Sequence, residues 1–247
     1  MNSSTQFEQY VSALFQAHRG KRVLRFEYEG NIFWMKQPEQ LKGVWRILKP
    51  QPKRAFHAEC DILRELNRRH APVPELVLWN SDYFVLKDAG YTLNQWVEND
   101  SLHISDETKM QILVEGAKAL ADLHREGLAH GRPAIRDIAW KDHEVKFMDF
   151  ESRSRSNNPE WQKIRDSLIF IHSLCRSKRL SDSQIAQVVA KYQSYCEPVL
   201  WRKVITFVQK ARWIYYVLLP FKPIAKMDLI AIYRLFEILL INKGKSE

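Results

Sequence analysis

The stretch LADLHREGLAHGRPAIRDIAWKDHEVKFMDFE, Leu120 to Glu151, changes its hydrophobic spacing twice. Up to Gly127 it continues a helical pattern that begins at Asp106, in which Leu113, Ala117, Leu120 and His124 share one stripe. Asp106 stands where a cap would open that helix and Gly127 where a glycine would close it. HGRPAIRDIAW, His130 to Trp140, loses the period and reads as a loop rich in charge. DHEVKFMDFE then alternates as a short hairpin, and an acid, Asp149, stands at its end.

Toward the N-terminus, Arg22 to Gln37 alternates apolar and polar residues around Glu29-Gly30-Asn31, the pattern of two strands joined by a tight turn. A loop over Lys49 to Lys53 leads to Phe56, Cys60, Leu63 and Leu66, spaced as one face of a helix that stops before Pro72-Val73-Pro74. ELVLW and YFVLK, separated by Asn80-Ser81-Asp82, read as a second strand pair and run into a polar break at Asp88-Ala89-Gly90. Beyond Pro159 the pattern is helical. Strands first and helices after predict an α+β protein of two lobes, a β-rich one over residues 1–90 and a helical one over 91–247. No internal repeat is visible.

The composition bounds the function. Of 247 residues 45% are hydrophobic and 27% charged, which suits a protein able to bury a core and excludes a mainly disordered chain. Stretches free of charge, such as Trp213 to Phe221, fall far short of the ~20 apolar residues that span a bilayer. MNSSTQFEQY carries no basic segment followed by an apolar one, so no secretory signal and a cytoplasmic location are expected. Cys60, Cys175 and Cys196 are odd in number and far apart, which fits reduced buried thiols better than disulfides or a zinc site.

The formal charge is +9, and the last fifty residues hold nine Lys or Arg against three Asp or Glu. The same segment contains Trp201, Phe207, Trp213, Tyr215, Tyr216, Phe221, Tyr233 and Phe236. Two readings compete: a helical core with a solvated basic face, favoured because such helices need apolar faces of their own, and peripheral contact with an anionic membrane. No specific nucleic-acid binding is expected, because the charge comes without a recognised RNA-reading motif.

Four positions stand in an order that suits phosphoryl transfer: Lys36 at a strand end, Glu59 on the next helix, Asp137 in a loop after a helix, and Asp149 at a hairpin end. Such chemistry needs a lysine for nucleotide phosphates, a carboxylate to hold that lysine, and oxygen ligands for Mg²⁺. The chain resembles the protein-kinase-like superfamily, and within it the bacterial lipopolysaccharide core kinases that act on Kdo and heptose. FWMK, ending in Lys36, stands where those families have V-A-I-K; ECDILREL followed by PVP resembles their ion-pair helix and its exit. LADLHREGLAHG resembles the helix into the catalytic loop, and MDFE the metal-binding D-F-G or D-F-D; the likeness spans roughly residues 22 to 175.

The resemblance implies a two-lobed kinase-like fold, with ATP and Mg²⁺ as cofactors and a small-molecule or lipid-linked sugar as acceptor. Lys36 and Glu59 would serve the nucleotide, Asp149 and Asp137 the metal, and Arg132 and His130 would complete the catalytic loop. Two departures stand out. Counting from His130 along H-x-D-x-x-x-x-N, Arg132 occupies the position of the base and Asp137 that of the metal-binding Asn. An arginine cannot accept a proton at neutral pH, though it can grip a phosphate or an anionic acceptor. Gly20 and Gly30 form no G-x-G-x-x-G, so fewer backbone amides can approach phosphate.

Structural roles stand beside these. Glu59 also reads as an exposed helix charge, His130 as a hydrogen-bonding histidine, and Asp149 as a turn cap. Arg132 and Arg136 could pair with Asp137 or Glu151, and Asp166 reads better as a loop anchor than as chemistry. A kinase-like phosphotransferase, a binding module that keeps the fold without catalysis, and an RNA-associated factor are therefore the three functional expectations.

Overall fold

The computed structural model describes residues 3–39, 52–149 and 158–241. The chain is α+β and divides into two compact units, Met1–Ala89 and Gly90–Glu247.

In the first unit, strands β1 (Val23–Tyr28) and β2 (Asn31–Lys36) form the hairpin that the alternation predicts. Glu29 and Gly30 take φ of 48° and 73°, so both turn residues are left-handed, which matches the twist of the strands they join. Strands β3 (Leu76–Trp79) and β4 (Phe84–Lys87) complete a four-stranded antiparallel sheet in the order β1-β2-β4-β3. Side chains alternate between its faces. Leu24, Phe26, Met35 and Val85 bury one face against Val11 and Phe15 of helix α1 (Ser3–Ala17). That helix is absent from the expectations drawn from sequence, although Phe7, Val11, Leu14 and Phe15 carry its apolar spacing. Helix α2 (Pro52–Arg68) buries Phe56, Cys60, Leu63 and Leu66, and Phe56 stacks on Phe84 with ring centroids 5.1 Å apart. Lys36 pairs in register with Phe84, so it stands on the sheet face that α2 covers.

The second unit opens on β5 (Tyr91–Thr92) and α3 (Leu93–Glu98), followed by α4 (Asp106–Arg125). The predicted stripe of α4, Leu113, Ala117, Leu120 and His124, is wholly buried. The cap differs: the Ser105 hydroxyl accepts from the Thr108 amide at 3.1 Å, and Asp106 is the first helical residue, where its charge meets the helix dipole instead. The loop ends sooner than the sequence suggests, because β6 (Ile138–Lys141) already pairs with β7 (Glu144–Phe147) across a left-handed Asp142-His143 turn. β5 joins them in the order β5-β6-β7, a two-residue strand too short to show a period.

Helices α5 (Pro159–Arg176), α6 (Asp182–Tyr195), α7 (Pro198–Lys210), α8 (Arg212–Leu218) and α9 (Met227–Phe236) follow. Phe170, Ile171 and Leu174 of α5 and Ile185, Val188 and Tyr192 of α6 are fully or nearly fully buried. All three cysteines are buried and free, and burial pushes the thiol of Cys175 up to about 12 and that of Cys196 up to about 11. No helix among the described residues is long and apolar enough to cross a membrane.

Candidate functional site

In the first unit, the Lys36 ammonium forms an ion pair with the Glu59 carboxylate, Nζ to Oε1. The pairing follows from local geometry. Strand alternation sends Met35 into the α1 core and Lys36 to the other face, where α2 presents Glu59 one residue from its buried Cys60. Both side chains are mostly shielded, 18% and 25% exposed, so the contact is not a solvated surface pair. The ammonium also lies 5.9 Å from the Phe84 ring centroid, a distance suited to cation–π attraction.

In the second unit, the loop from His130 to Asp137 is tied down by one buried acid. Asp166 on α5 is completely buried and accepts from the backbone amides of His130 at 2.7 Å and Gly131 at 3.0 Å, with His124 Nε2 at 3.4 Å. Those contacts satisfy backbone donors that water cannot reach. The His130 ring is buried too: its Nδ1 accepts from the Arg132 amide at 3.1 Å, which leaves Nε2–H to donate to the Met148 carbonyl at 2.8 Å. With both nitrogens engaged by backbone, His130 holds the loop and the strand exit together. Ser173 of α5 adds another tie, accepting from the Ile135 amide at 3.0 Å.

Asp137 leaves this loop half-buried. Its amide donates to the Ala134 carbonyl at 2.7 Å and its carbonyl accepts from the Met148 amide at 2.8 Å, so the backbone beside Asp149 is laced to the backbone of Asp137. Its carboxylate pairs with Arg136 Nε at 3.6 Å. Burial raises the Asp137 pKa most, the negative charge of Asp149 raises it further, and Arg136 and Arg132 oppose both. The structure thus brings Asp137 and Asp149 within electrostatic reach of each other. Asp149 is exposed and left-handed, with φ of 54°. Glu151 lies outside the described residues.

No family model matches the chain. An uncharacterized protein of Haemophilus influenzae is 49% identical over 243 residues, covering 98% of this chain and all of that protein. The chain belongs to the same family.

In this member of the family the loop also borders a cavity of about 770 Å³ within the second unit, lined by Arg132, Arg136, Arg165, His172, Arg176 and Lys178 among others. Its volume suits a small molecule. Five of the lining residues are Arg or Lys and two, Glu98 and Asp228, are acids; Asp228 pairs with Arg176 at 2.8 Å. Burial lowers the pKa of His172, chiefly by disfavouring its charged form. Arg165, His172, Arg176 and Lys178 are absent from the site residues expected from sequence. For the first three the signal is in α5, where Arg165, Ile169, His172 and Arg176 recur at four-, three- and four-residue steps along one side of the helix.

The donor set fits Mg²⁺ in one manner only. No cluster of three or more His, Cys, Asp or Glu suited to a metal occurs among the described residues. Two neighbouring carboxylates are what Mg²⁺ takes from a protein when phosphate oxygens and water complete its shell. The pKa of Asp137 is raised chiefly by burial and further by the like charge of Asp149, and a divalent cation would relieve that second contribution.

Proposed function

We propose that this protein is a phosphotransferase of the kinase-like fold, moving the γ-phosphoryl group of ATP to a hydroxyl of a sugar, such as one of the lipopolysaccharide core. The observation that carries the reading is the Lys36–Glu59 pair: a strand lysine turned to the covered face of its sheet and held by a helix carboxylate. A lysine so restrained is presented for nucleotide phosphates rather than left to solvent. Bound MgATP would supply the electrophilic phosphorus and the leaving group. Lys36 would hold the α- and β-phosphates, Glu59 would orient Lys36, and Asp149 and Asp137 would ligate Mg²⁺.

The acceptor oxygen forms the new P–O bond as the bond to ADP breaks, and the hydroxyl proton leaves to solvent or to a phosphate oxygen. Arg132 cannot take that proton. Loose phosphoryl-transfer transition states place little demand on a base, so positioning and charge neutralisation remain the protein's tasks. Arg132 and Arg136, with the basic side of α5, favour an acceptor that itself carries phosphate or carboxylate groups. An acceptor linked to lipid would place the work in the cytoplasm, peripheral to the inner membrane.

Lys36→Met and Asp149→Asn are each expected to abolish ATP consumption in the presence of acceptor. Turnover retained by Asp149→Asn would defeat the assignment. Arg132 supports a second reading, a pseudokinase that binds nucleotide without turning it over, and Arg132→Asp tests it: activity gained on that substitution would show that the arginine silences the site.

A further inference from the structure

The corner formed by α8, the 3₁₀ turn Leu219–Ile224 and the start of α9 is held together by polar contacts. The Tyr215 hydroxyl donates to Glu237 at 3.0 Å, Lys222 Nζ reaches the same carboxylate at 2.6 Å, and the Tyr233 hydroxyl donates to the Leu218 carbonyl. Large apolar side chains beside them are exposed. Trp213 is 64% exposed, Val217 59%, Phe221 51% and Ile224 75%, with Tyr216, Leu219 and Met227 exposed beside them. Trp213, Tyr216 and Val217 lie at i, i+3 and i+4, on one side of α8.

The structure therefore divides the eight aromatics of this basic region. Trp201, Tyr215, Tyr233 and Phe236 are core; Phe207, Trp213, Tyr216 and Phe221 are surface. Trp213, Tyr216 and Phe221, with the exposed aliphatics between them, gather on one short stretch of chain, the kind of apolar patch that marks an interaction surface. The charge is equally one-sided, since residues 198–227 hold six Lys or Arg and no Asp or Glu. Arg212 sits 5.4 Å from the Tyr216 ring centroid, so cation and aromatic are interleaved on this face.

We propose that this corner docks on the surface of a bilayer containing anionic phospholipid, with Trp213, Val217, Phe221 and Ile224 entering the headgroup and acyl boundary and Lys210, Arg212 and Lys226 facing lipid phosphates. Exposed aliphatic and aromatic side chains ringed by cations match such an interface in both its apolar depth and its charge. A second copy of this chain would meet the same cations with cations, which disfavours self-association through the face. The inference shares with the phosphotransfer reading only its location at the inner membrane.

The test is co-sedimentation of the full chain with vesicles of phosphatidylcholine alone or mixed with phosphatidylglycerol. The chain is expected to pellet with the mixed vesicles, to stay in solution with the neutral ones, and to bind less as salt rises. Phe221→Glu with Ile224→Glu, and separately Lys210→Glu with Lys226→Glu, should each weaken partitioning by about tenfold or more while leaving the melting temperature near that of the parent. Lys36→Met and Asp149→Asn should pellet like the parent, so loss of ATP turnover and loss of membrane binding are scored apart. A parent chain that ignores mixed vesicles overturns the proposal, as does binding unchanged in both surface pairs. An oligomer dissolved by Phe221→Glu with Ile224→Glu, without vesicle binding, assigns the face to a second copy instead.

Discussion

Asp166 shows how much of a loop one side chain can govern. It is completely buried and serves two consecutive amides and a histidine, so removing it leaves several donors without acceptors in a region water cannot reach. Asp166→Ala is expected to destabilise the chain by about 3 kcal/mol in urea unfolding, and Asp166→Asn, which keeps one accepting oxygen, by less. Asp137 calls for a different measurement. Its pKa is raised in the folded chain, so the fold binds that proton more tightly than the unfolded chain does. Its contribution to stability is therefore fully present below the ordinary carboxylate range and is lost as pH rises through the raised value. Asp149→Asn removes a neighbouring negative charge and should move the Asp137 titration to lower pH, read by carboxyl carbon NMR. An Asp137 titration unmoved by that substitution would show that the two carboxyl groups do not share a site.

At the scale of elements, α4 and α5 carry the loop between them and divide the work by face. The stripe of α4 was legible because three apolar residues and a histidine repeat at helical spacing, but its cap was not, since Ser105 and Asp106 are both good capping residues and only the hydrogen bond to Thr108 separates them. Ser105→Ala should lower stability by about 1 kcal/mol and Asp106→Ala by only a few tenths, compared by thermal unfolding. On α5 the buried side holds Asp166, Phe170 and Leu174, and the cavity side holds Arg165, His172 and Arg176. Arg165→Glu with Arg176→Glu should raise KM for an anionic acceptor by about tenfold or more while leaving KM for ATP unchanged, as seen in steady-state kinetics. A shared rise in both constants would place these arginines on the nucleotide.

For the whole molecule, the question is whether nucleotide binds at all without a glycine-rich loop. A ligand that binds only the folded chain stabilises it by about 2.7 kcal/mol at a hundred times its dissociation constant. ATP with Mg²⁺ should therefore raise the melting temperature, and Asp149→Asn should lose the part of that rise that depends on Mg²⁺. A rise in the parent without ATP consumption, acceptor present, would favour the pseudokinase reading. The +9 charge should also give weak binding to RNA that disappears between low and moderate salt, measured by filter retention, with no preference among sequences.

Sequence by itself determined the α+β order, the β1–β2 hairpin, the apolar face of α2 and the stripe of α4. These are local matters, settled by alternation, helical spacing and turn residues a few positions apart. It also placed Lys36 at a strand end and Glu59 on a helix, twenty-three residues on. Tertiary structure decided what spacing cannot encode: that Asp166 holds the His130–Gly131 amides, that α1 covers the β1–β2 face, and that basic residues of α5 gather beside Arg132. It decided, too, which four of the eight C-terminal aromatics are core and which four are surface. Each depends on partners far along the chain, and burial is a property of the packed whole rather than of any residue's own chemistry.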